Sequence, residues 1–291
     1  MQKRAPKLQR APEELKSTAL TERSLEVLDA LVRFRLLSTS QIMTLVEGNG
    51  KVTHRHLQKL FHLGLVDRSP LLRNGTVGEF VYLPSGSKSL KLLAARGQMP
   101  ESGLERFSKT LRRDIGSNIS GPGRTLFLEH ELMVSRFHML LELACRETGG
   151  DVVLKVWRQG SETWNTVRVV EGDQERVLPH RPDAVFTLEQ PNAPEGQGVS
   201  HFFYEADRGT STAGRMLDKL KAHLTFLLQG KHREKYGFNR LRAVLIEAPT
   251  LERAEQIREW ARAVSPSEPL FWITLSDLLQ TSDLVVQPGS P

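Results

Sequence analysis

The sequence predicts an α+β or α/β protein in which a mainly helical N-terminal domain precedes a domain built on a mixed sheet. Its 291 residues exceed the usual length of one domain, so two domains are expected. Helical periodicity prevails in residues 20–97, whereas strand-like runs alternate with helices after residue 147. Residues 1–120 hold 20 Lys and Arg against 11 Asp and Glu, and residues 121–291 hold 20 against 23. A basic first domain is typical of proteins that bind polyphosphate backbones, although a solvated basic surface has the same composition.

Composition excludes several classes of protein. The single cysteine, Cys145, excludes an internal disulfide and a cysteine-rich zinc site, and it favours a reducing, cytoplasmic location. No apolar run approaches the roughly 18 residues that span a bilayer, so no membrane partner is expected. Residues 1–19 are basic and polar and are predicted to form a disordered arm. Four aromatic residues are interpreted as core or edge side chains rather than base-stacking platforms: Trp157, Trp164, Trp260 and Trp272.

Two helices are predicted at the start of the basic domain. Leucine and valine recur at helical spacing in residues 21–36, which indicates an amphipathic helix. Ser38 and Gln41 then stand three residues apart, in the pattern of a capping box, where each side chain satisfies a free backbone N–H at a helix start. The second helix must end near Gly48-Asn49-Gly50, because these residues accept turn conformations that others resist.

A third helix is predicted over residues 51–63. Its apolar residues share one face, and His54, Arg55, Gln58 and Lys59 lie mostly on the others. Two short helices on either side of a glycine turn make a helix-turn-helix, whose second helix enters the major groove. Arg and Lys suit phosphate or guanine, and Gln suits adenine.

A β-hairpin and a fourth helix complete the first domain. Asn74-Gly75 between apolar runs is a strong hairpin signal, with Arg68 and Arg73 near its base and tip, and a helix follows through Ala95. The order of three helices, a hairpin and a helix over residues 20–97 resembles the winged helix-turn-helix family. That resemblance implies binding to double-stranded DNA, and the alternative is a winged helix used for protein contacts.

A linker and a mixed-sheet domain follow. Glycine, proline and basic residues over 98–124 indicate a linker, whose charges either follow a DNA backbone or are simply solvated. The second domain, residues 125–291, begins with a helix that ends at 147. Later elements are predicted as strands over 152–157, 163–170, 181–188, 202–206, 241–246 and 271–274, and helices over 212–228 and 250–263.

Acidic residues mark the ends of two predicted strands. Asp183 follows Pro182 at a strand start, and Glu205 and Asp207 close the next strand. Positions two apart on a strand share a face, so these carboxylates are expected to converge. Glu131 on the preceding helix adds a further candidate. Such oxygen ligands suit Mg²⁺ or Mn²⁺, so Asp183 and Glu205 are the predicted metal ligands.

These acidic motifs resemble two families. Pro182-Asp183 followed by Glu205-Ala206-Asp207, with Glu131 on the leading helix, resembles the PD-(D/E)xK nuclease superfamily. More narrowly, the stretches 181–184 and 203–210, followed by Lys219, resemble the replication-relaxation family. That resemblance implies a winged helix joined to a PD-(D/E)xK-like domain, and a function in the replication and relaxation of plasmid or mobile-element DNA.

One position departs from the active nuclease pattern. Asp207 stands where that pattern has a lysine, which orients the attacking water and balances developing charge. Lys219 is a candidate to supply the ammonium from the next helix, and Arg208 is another, although its neighbouring position on the strand would point it to the other face. In that reading Glu131, Asp183, Glu205, Asp207 and Lys219 form a catalytic set.

The alternatives to catalysis stay open. Asp207 and Arg208 could form a structural ion pair in a domain that has lost cleavage activity. The chain would then be a transcription or replication regulator whose second domain forms a homodimer or binds a partner protein. A third reading makes the second domain a sensor of nucleic-acid ends.

Overall fold

The computed structural model describes residues 9–10, 20–46, 48–73, 76–97, 104–116, 123–266 and 269–279. It confirms an α+β fold, with helices and mixed sheets. The chain divides into an N-terminal unit, Met1–Met139, and a C-terminal unit, Leu140–Pro291. Most of the expected disordered arm, and the predicted Asn74-Gly75 turn, lie outside the described residues.

The N-terminal unit combines helices with a three-stranded antiparallel sheet in the order β1-β3-β2. Its elements are α1 (Glu22–Phe34), β1 (Leu37–Ser38), α2 (Thr39–Leu45), α3 (Gly50–His62), β2 (Val66–Arg73), β3 (Thr76–Pro84), α4 (Ser87–Ala95), α5 (Leu104–Leu111) with a π-helical turn (Arg112–Gly116), and the first part of α6 (Arg124–Glu147).

Local caps explain where α2 and α3 begin and end. The predicted capping box is confirmed, since Ser38 Oγ accepts from Gln41 N at 3.3 Å and Gln41 Oε1 accepts from Ser38 N at 2.9 Å. Asn49 caps α3 by accepting from the backbone N–H of Lys51 at 2.9 Å. The helix ends before Gly64, whose φ of +70° is the left-handed conformation that favours glycine after a helix. These caps fix the direction in which α3 leaves the turn.

Part of the segment interpreted as a linker packs into the core of the N-terminal unit. Leu111 and Ile115, from α5 and the π-helical turn, are at most 3 % exposed. They cluster with Leu128 of α6 and with Leu71 and Val81 of the hairpin. Arg35 of the N-terminal helices also pairs with Asp114 at 2.8 Å in this region. The described part of residues 98–124 therefore contributes buried apolar contacts rather than a solvated chain.

The C-terminal unit is built on a five-stranded mixed sheet in the order β10-β9-β8-β7-β4, with a separate hairpin β5–β6. Its elements after α6 are β4 (Val153–Gln159), a 3₁₀ turn (Gly160–Glu162), β5 (Asn165–Glu171), β6 (Gln174–His180), β7 (Ala184–Glu189), β8 (Val199–Ala206), α7 (Ala213–Leu228), α8 (Lys231–Tyr236), β9 (Ala243–Ala248), α9 (Leu251–Val264) and β10 (Phe271–Leu275).

The mixed character of this sheet comes from its connections. Strands β8, β9 and β10 are parallel and are joined through helices, whereas β4, β7 and β8 run antiparallel. The core lies between the sheet and helices α7 and α9, and it includes Phe203, Ile246, Leu220 and Ile257. Among the described residues, no helix has the length and apolarity to cross a membrane.

Candidate functional site

Asp183 lies at the start of β7 and is fixed by the neighbouring strand. Its backbone N–H donates to Tyr204 O at 3.0 Å, and its Oδ2 accepts from the backbone N–H of Ala206 at 2.8 Å. The preceding Pro182 has no N–H, which suits the position just before the ladder begins. The side chain is 14 % exposed. The carboxylate of Asp183 is therefore held against the end of β8.

Glu205 and Lys219 complete a carboxylate–lysine cluster with Asp183. The side chain of Glu205 on β8 is 3 % exposed, and its Oε2 forms an ion pair with Lys219 Nζ of α7. The same ammonium lies 3.9 Å from Asp183 Oδ2. The structure thus brings together three of the five residues predicted as a catalytic set, and the ammonium comes from the helix rather than from the strand.

Two buried histidines support this cluster. His223 lies one helical turn after Lys219 on α7, and its Nε2 is 2.6 Å from Glu205 Oε1. His180 at the end of β6 places its Nε2 3.1 Å from His223 Nδ1. Both rings are 1 % exposed. Sequence reasoning missed both residues, although the spacing of Lys219 and His223 was a signal that they share a helix face.

The hydrogen bonds select one arrangement of protons in the histidine pair. His180 Nδ1 is buried and has no hydrogen-bond partner among the described residues, so an N–H there would be an unsatisfied donor. We therefore infer that His180 Nε2–H donates to His223 Nδ1, and that His223 Nε2–H donates to Glu205. In this arrangement Glu205 Oε1 accepts from His223, and Oε2 forms the ion pair with Lys219.

Burial and the mutual charges govern titration in the cluster. Burial raises the pKa of Glu205, against the opposing effect of Lys219. Burial by itself would lower the pKa of Lys219, but Glu205 and Asp183 outweigh it, and the net pKa of the lysine is raised. Burial lowers the pKa of His223 to about 3, with Lys219 as the second cause. Near neutral pH the lysine is therefore charged and His223 is neutral.

Asp207 is held by a different partner from those of Asp183 and Glu205. Arg253 of α9 donates to its carboxylate from Nε at 2.7 Å and from Nη2 at 3.2 Å, and Gly209 N donates at 3.1 Å. Asp207 is 4 % exposed and Arg253 9 %. No motif in the sequence indicated Arg253 as a partner. Strand β8 ends at Ala206, one residue before Asp207, so strand alternation does not by itself place Asp207 on the face of Glu205. The convergence of these two carboxylates stays a prediction.

The donor set for a divalent ion is small. Among the described residues, no group of three or more His, Cys, Asp or Glu side chains is arranged to hold a metal. Glu131 belongs to the N-terminal unit, where its Oε1 lies 3.5 Å from His130 Nδ1. Its membership of the catalytic set stays a prediction. Asp183 and Glu205 offer the hard oxygens that Mg²⁺ prefers, but an ion held by both would displace the ammonium of Lys219 from Glu205.

The solvent face of α3 carries part of the predicted DNA-binding set. Arg55 and Gln58 are exposed, and Lys59 and His54 are half-buried. Gln58 Nε2 lies 3.4 Å from His54 Nε2. His56 points inward instead, with Nδ1 2.9 Å from Ser24 Oγ of α1. The exposed edge of α3 therefore presents a guanidinium and an amide.

Of the two arginines predicted to bind DNA from the hairpin, the structure describes the side chain of Arg68 but not that of Arg73. The guanidinium carbon of Arg68 lies 4.0 Å from the centre of the Phe61 ring and 4.9 Å from that of Phe80. These cation–π contacts hold the side chain against the unit. Arg73 ends β2, and its side chain lies outside the described residues. The DNA-binding roles of both arginines stay predictions.

Comparison with known proteins identifies the family. A family model described as replication-relaxation matches residues 28–241, which is most of the chain and extends across both units. The chain therefore belongs to the replication-relaxation family, and its function is related to replication. Neither the curated proteins nor the solved structures give a significant match.

Proposed function

We propose that this chain is a DNA-binding protein of plasmid or mobile-element replication, whose C-terminal unit carries a PD-(D/E)xK-like site for Mg²⁺- or Mn²⁺-dependent nicking. Family membership supports the link to replication. The single observation that carries the nicking proposal is the contact of the Lys219 ammonium with Glu205, close to Asp183.

The N-terminal unit acts in this proposal as a winged helix-turn-helix. Helices α2 and α3 flank the turn at Asn49, and the antiparallel strands β2 and β3 follow as the wing. Helix α3 enters the major groove, where Arg55, Gln58 and Lys59 reach base edges or phosphates. The excess of Lys and Arg in residues 1–120 supplies the sequence-independent attraction.

In the C-terminal unit, Lys219 takes the role of the strand lysine that Asp207 replaces. A lysine on α7 reaches the same carboxylates, because α7 packs over the face of β8 that bears Glu205. The ammonium can move from Glu205 to a scissile phosphate and balance its charge. His223 keeps the carboxylate of Glu205 oriented while the lysine moves.

Asp183 and Glu205 are the residues that would hold the ion. When bound there, Mg²⁺ or Mn²⁺ supplies positive charge that stabilises the phosphodiester transition state. Asp183 is suited to this role because Ala206 N fixes its carboxylate beside β8.

A second candidate function is favoured by the same ion pair. If Lys219 stays on Glu205, the carboxylates are neutralised without a metal, and Arg253 already neutralises Asp207. The chain would then be a non-catalytic regulator, whose C-terminal unit forms a homodimer or binds a replication protein.

Nicking of supercoiled plasmid separates the two functions. With Mg²⁺ or Mn²⁺, the wild type should convert supercoiled to open-circular DNA. Asp183→Ala, Glu205→Ala and Lys219→Met should each reduce the rate at least about 100-fold, the size of effect that removal of one transition-state contact produces. Lys91→Met on α4, where residue 91 is exposed, is the matched control and should cut at the wild-type rate.

The affinity for duplex DNA is measured on the same variants. A variant that binds duplex DNA as tightly as the wild type but no longer nicks it assigns the carboxylate–lysine cluster to catalysis. A wild type that never nicks with either ion, together with unchanged origin or plasmid function in all three variants, would reject the catalytic proposal and leave the regulator.

A further inference from the structure

A cavity of about 610 Å³ lies in the C-terminal unit, away from the carboxylate–lysine cluster. It opens where β8 begins, and Leu188 and Ser200 form part of its wall. Glu205 lies five residues further along β8, which at the rise of a strand is about 17 Å. The volume is in the usual range for small-molecule sites. The cavity and the cluster are therefore separate features of one sheet.

The charged side chains among the described residues that line this cavity are all cationic. Arg240 and Arg242 line it, and the described residues that line it include no Asp or Glu. Gln190 and Asn239 add amide groups. Both arginines are exposed, so their guanidinium groups are accessible to a ligand. A cavity with two guanidinium groups and no carboxylate in its wall suits an anion, and guanidinium matches phosphate in particular.

One wall of the cavity offers a flat surface to a planar group. The guanidinium carbon of Arg242 lies 5.3 Å from the centre of the Trp272 ring, and Trp272 itself lines the cavity. The indole is anchored through Nε1, which donates to Pro269 O at 3.1 Å. Nucleic-acid bases stack on both arginine planes and aromatic rings. The sequence analysis interprets Trp272 as a core or edge side chain, and in the structure its ring forms part of the cavity wall.

The rest of the wall is preformed. His201 Nδ1 lies 2.9 Å from Thr187 Oγ1, and its ring stacks on Phe238 with centroids 3.7 Å apart. The loop beyond β7 is closed by Gln190 N, which donates to Gly198 O at 2.7 Å. A Cβ at Gly198 would lie 2.5 Å from Gln190 O, so this close approach requires glycine. Little ordering is needed before a ligand enters.

We propose that this cavity binds a nucleoside phosphate, either as a free nucleotide or as one unit of single-stranded DNA. Arg240 and Arg242 contact the phosphate, and the base stacks against Arg242 and Trp272. This inference does not depend on duplex binding by α3 or on nicking at Asp183.

The test is equilibrium binding to the full-length chain with two probes, thymidine monophosphate and an oligothymidylate of about 10 nucleotides, a length within the site sizes of single-strand binders. Either probe should quench tryptophan fluorescence in the wild type, and Trp272→Leu should remove that quenching. Arg242→Ala and Arg240→Ala should each weaken binding at least about tenfold, the effect of losing one hydrogen bond to a charged group. Arg168→Ala is the matched control, because Arg168 is an exposed arginine of β5 that pairs with Glu175 and does not line the cavity.

The two probes distinguish the sources of the ligand. Binding of both with the same variant profile indicates a free nucleotide site, and binding of the oligonucleotide alone indicates a strand site. If neither probe binds, or if Arg240→Ala, Arg242→Ala and Trp272→Leu all bind as the wild type does, the proposal is overturned. The cavity variants are also measured in an Arg55→Ala background, which removes the expected contribution of α3 to oligonucleotide binding. Absence of binding at the cavity is then distinct from absence of duplex binding through α3.

Discussion

Lys219 illustrates how a charge can be supplied from a different element of the fold. The strand position next to the cluster holds Asp207, and the ammonium reaches Glu205 from α7 instead. Asp183 and Glu205 were predictable because they follow a recognisable nuclease motif, and Lys219 because the resemblance to the replication-relaxation family includes it. His180, His223 and Arg253 were not, because each meets its partner across 18 to 46 residues of chain and only the packing of α7 and α9 reveals the contact.

The buried pair of Arg253 and Asp207 should be important for stability. Arg253→Met leaves a carboxylate that is 4 % exposed without its cation, which should cost about 3–5 kcal/mol of unfolding free energy. Urea denaturation measures this loss. The double variant Asp207→Asn with Arg253→Met removes the unpaired charge and should be more stable than Arg253→Met alone. Equal stability of the single and double variants would show that the charge is not the cause.

The buried ring of His180 should make stability depend on pH. Its pKa is lowered from 6.5 by burial first, then by His223 and by Lys235 and Lys231. Below pH 6.5 the unfolded chain takes up a proton at this residue and the folded chain does not, so stability present above pH 6.5 is lost as the pH falls. One such group changes the unfolding free energy by up to about 1.4 kcal/mol per pH unit.

The variant His180→Gln isolates this effect, since glutamine retains an N–H for His223 but does not titrate. Urea midpoints at pH 7.5 and pH 5.0 should fall less for the variant than for the wild type. An identical fall in both would contradict the assignment of His180 as a buried neutral histidine.

At the scale of elements, the edge of the small hairpin is covered by side chains. Gln229 Nε2, Lys231 Nζ and Lys235 Nζ donate to the carbonyls of Arg168, Thr166 and Trp164, at 2.6, 2.7 and 2.5 Å. Alternate carbonyls of one strand point the same way, so α8 and the end of α7 satisfy an edge that would otherwise be open to another chain. Helix α8 and strand β6 were not predicted, because short polar segments have no clear periodicity.

Loss of one of these donors should loosen the hairpin. Lys231→Met should lower the unfolding free energy by about 0.5–1 kcal/mol, the net value of one exposed hydrogen bond. Amide hydrogen exchange of residues 165–180 should become faster. Arg233→Met, an exposed change on the same helix, is the control. Unaltered exchange in Lys231→Met would mean that the lysine does not hold the hairpin.

At the scale of the whole molecule, the sequence predicted two parts and the distribution of charge between them, because both depend on composition and periodicity over long segments. It predicted less well which segments pack into which unit. The glycine and basic residues around 104–116 predict a linker, yet Leu111 and Ile115 are buried. Two apolar residues in a short polar segment give too weak a signal to indicate a core contribution.

We propose that the N-terminal unit binds duplex DNA through α3, and the salt dependence of binding by the full-length chain is the decisive test. We predict that log affinity falls linearly with log salt, and that Arg55→Ala weakens binding and reduces the slope by about 0.9, the value of one phosphate contact. Lys91→Ala removes an equal charge from α4 and should leave the slope unchanged. The same slope in Arg55→Ala as in the wild type, or no attraction to duplex DNA at low salt, would exclude duplex binding through α3.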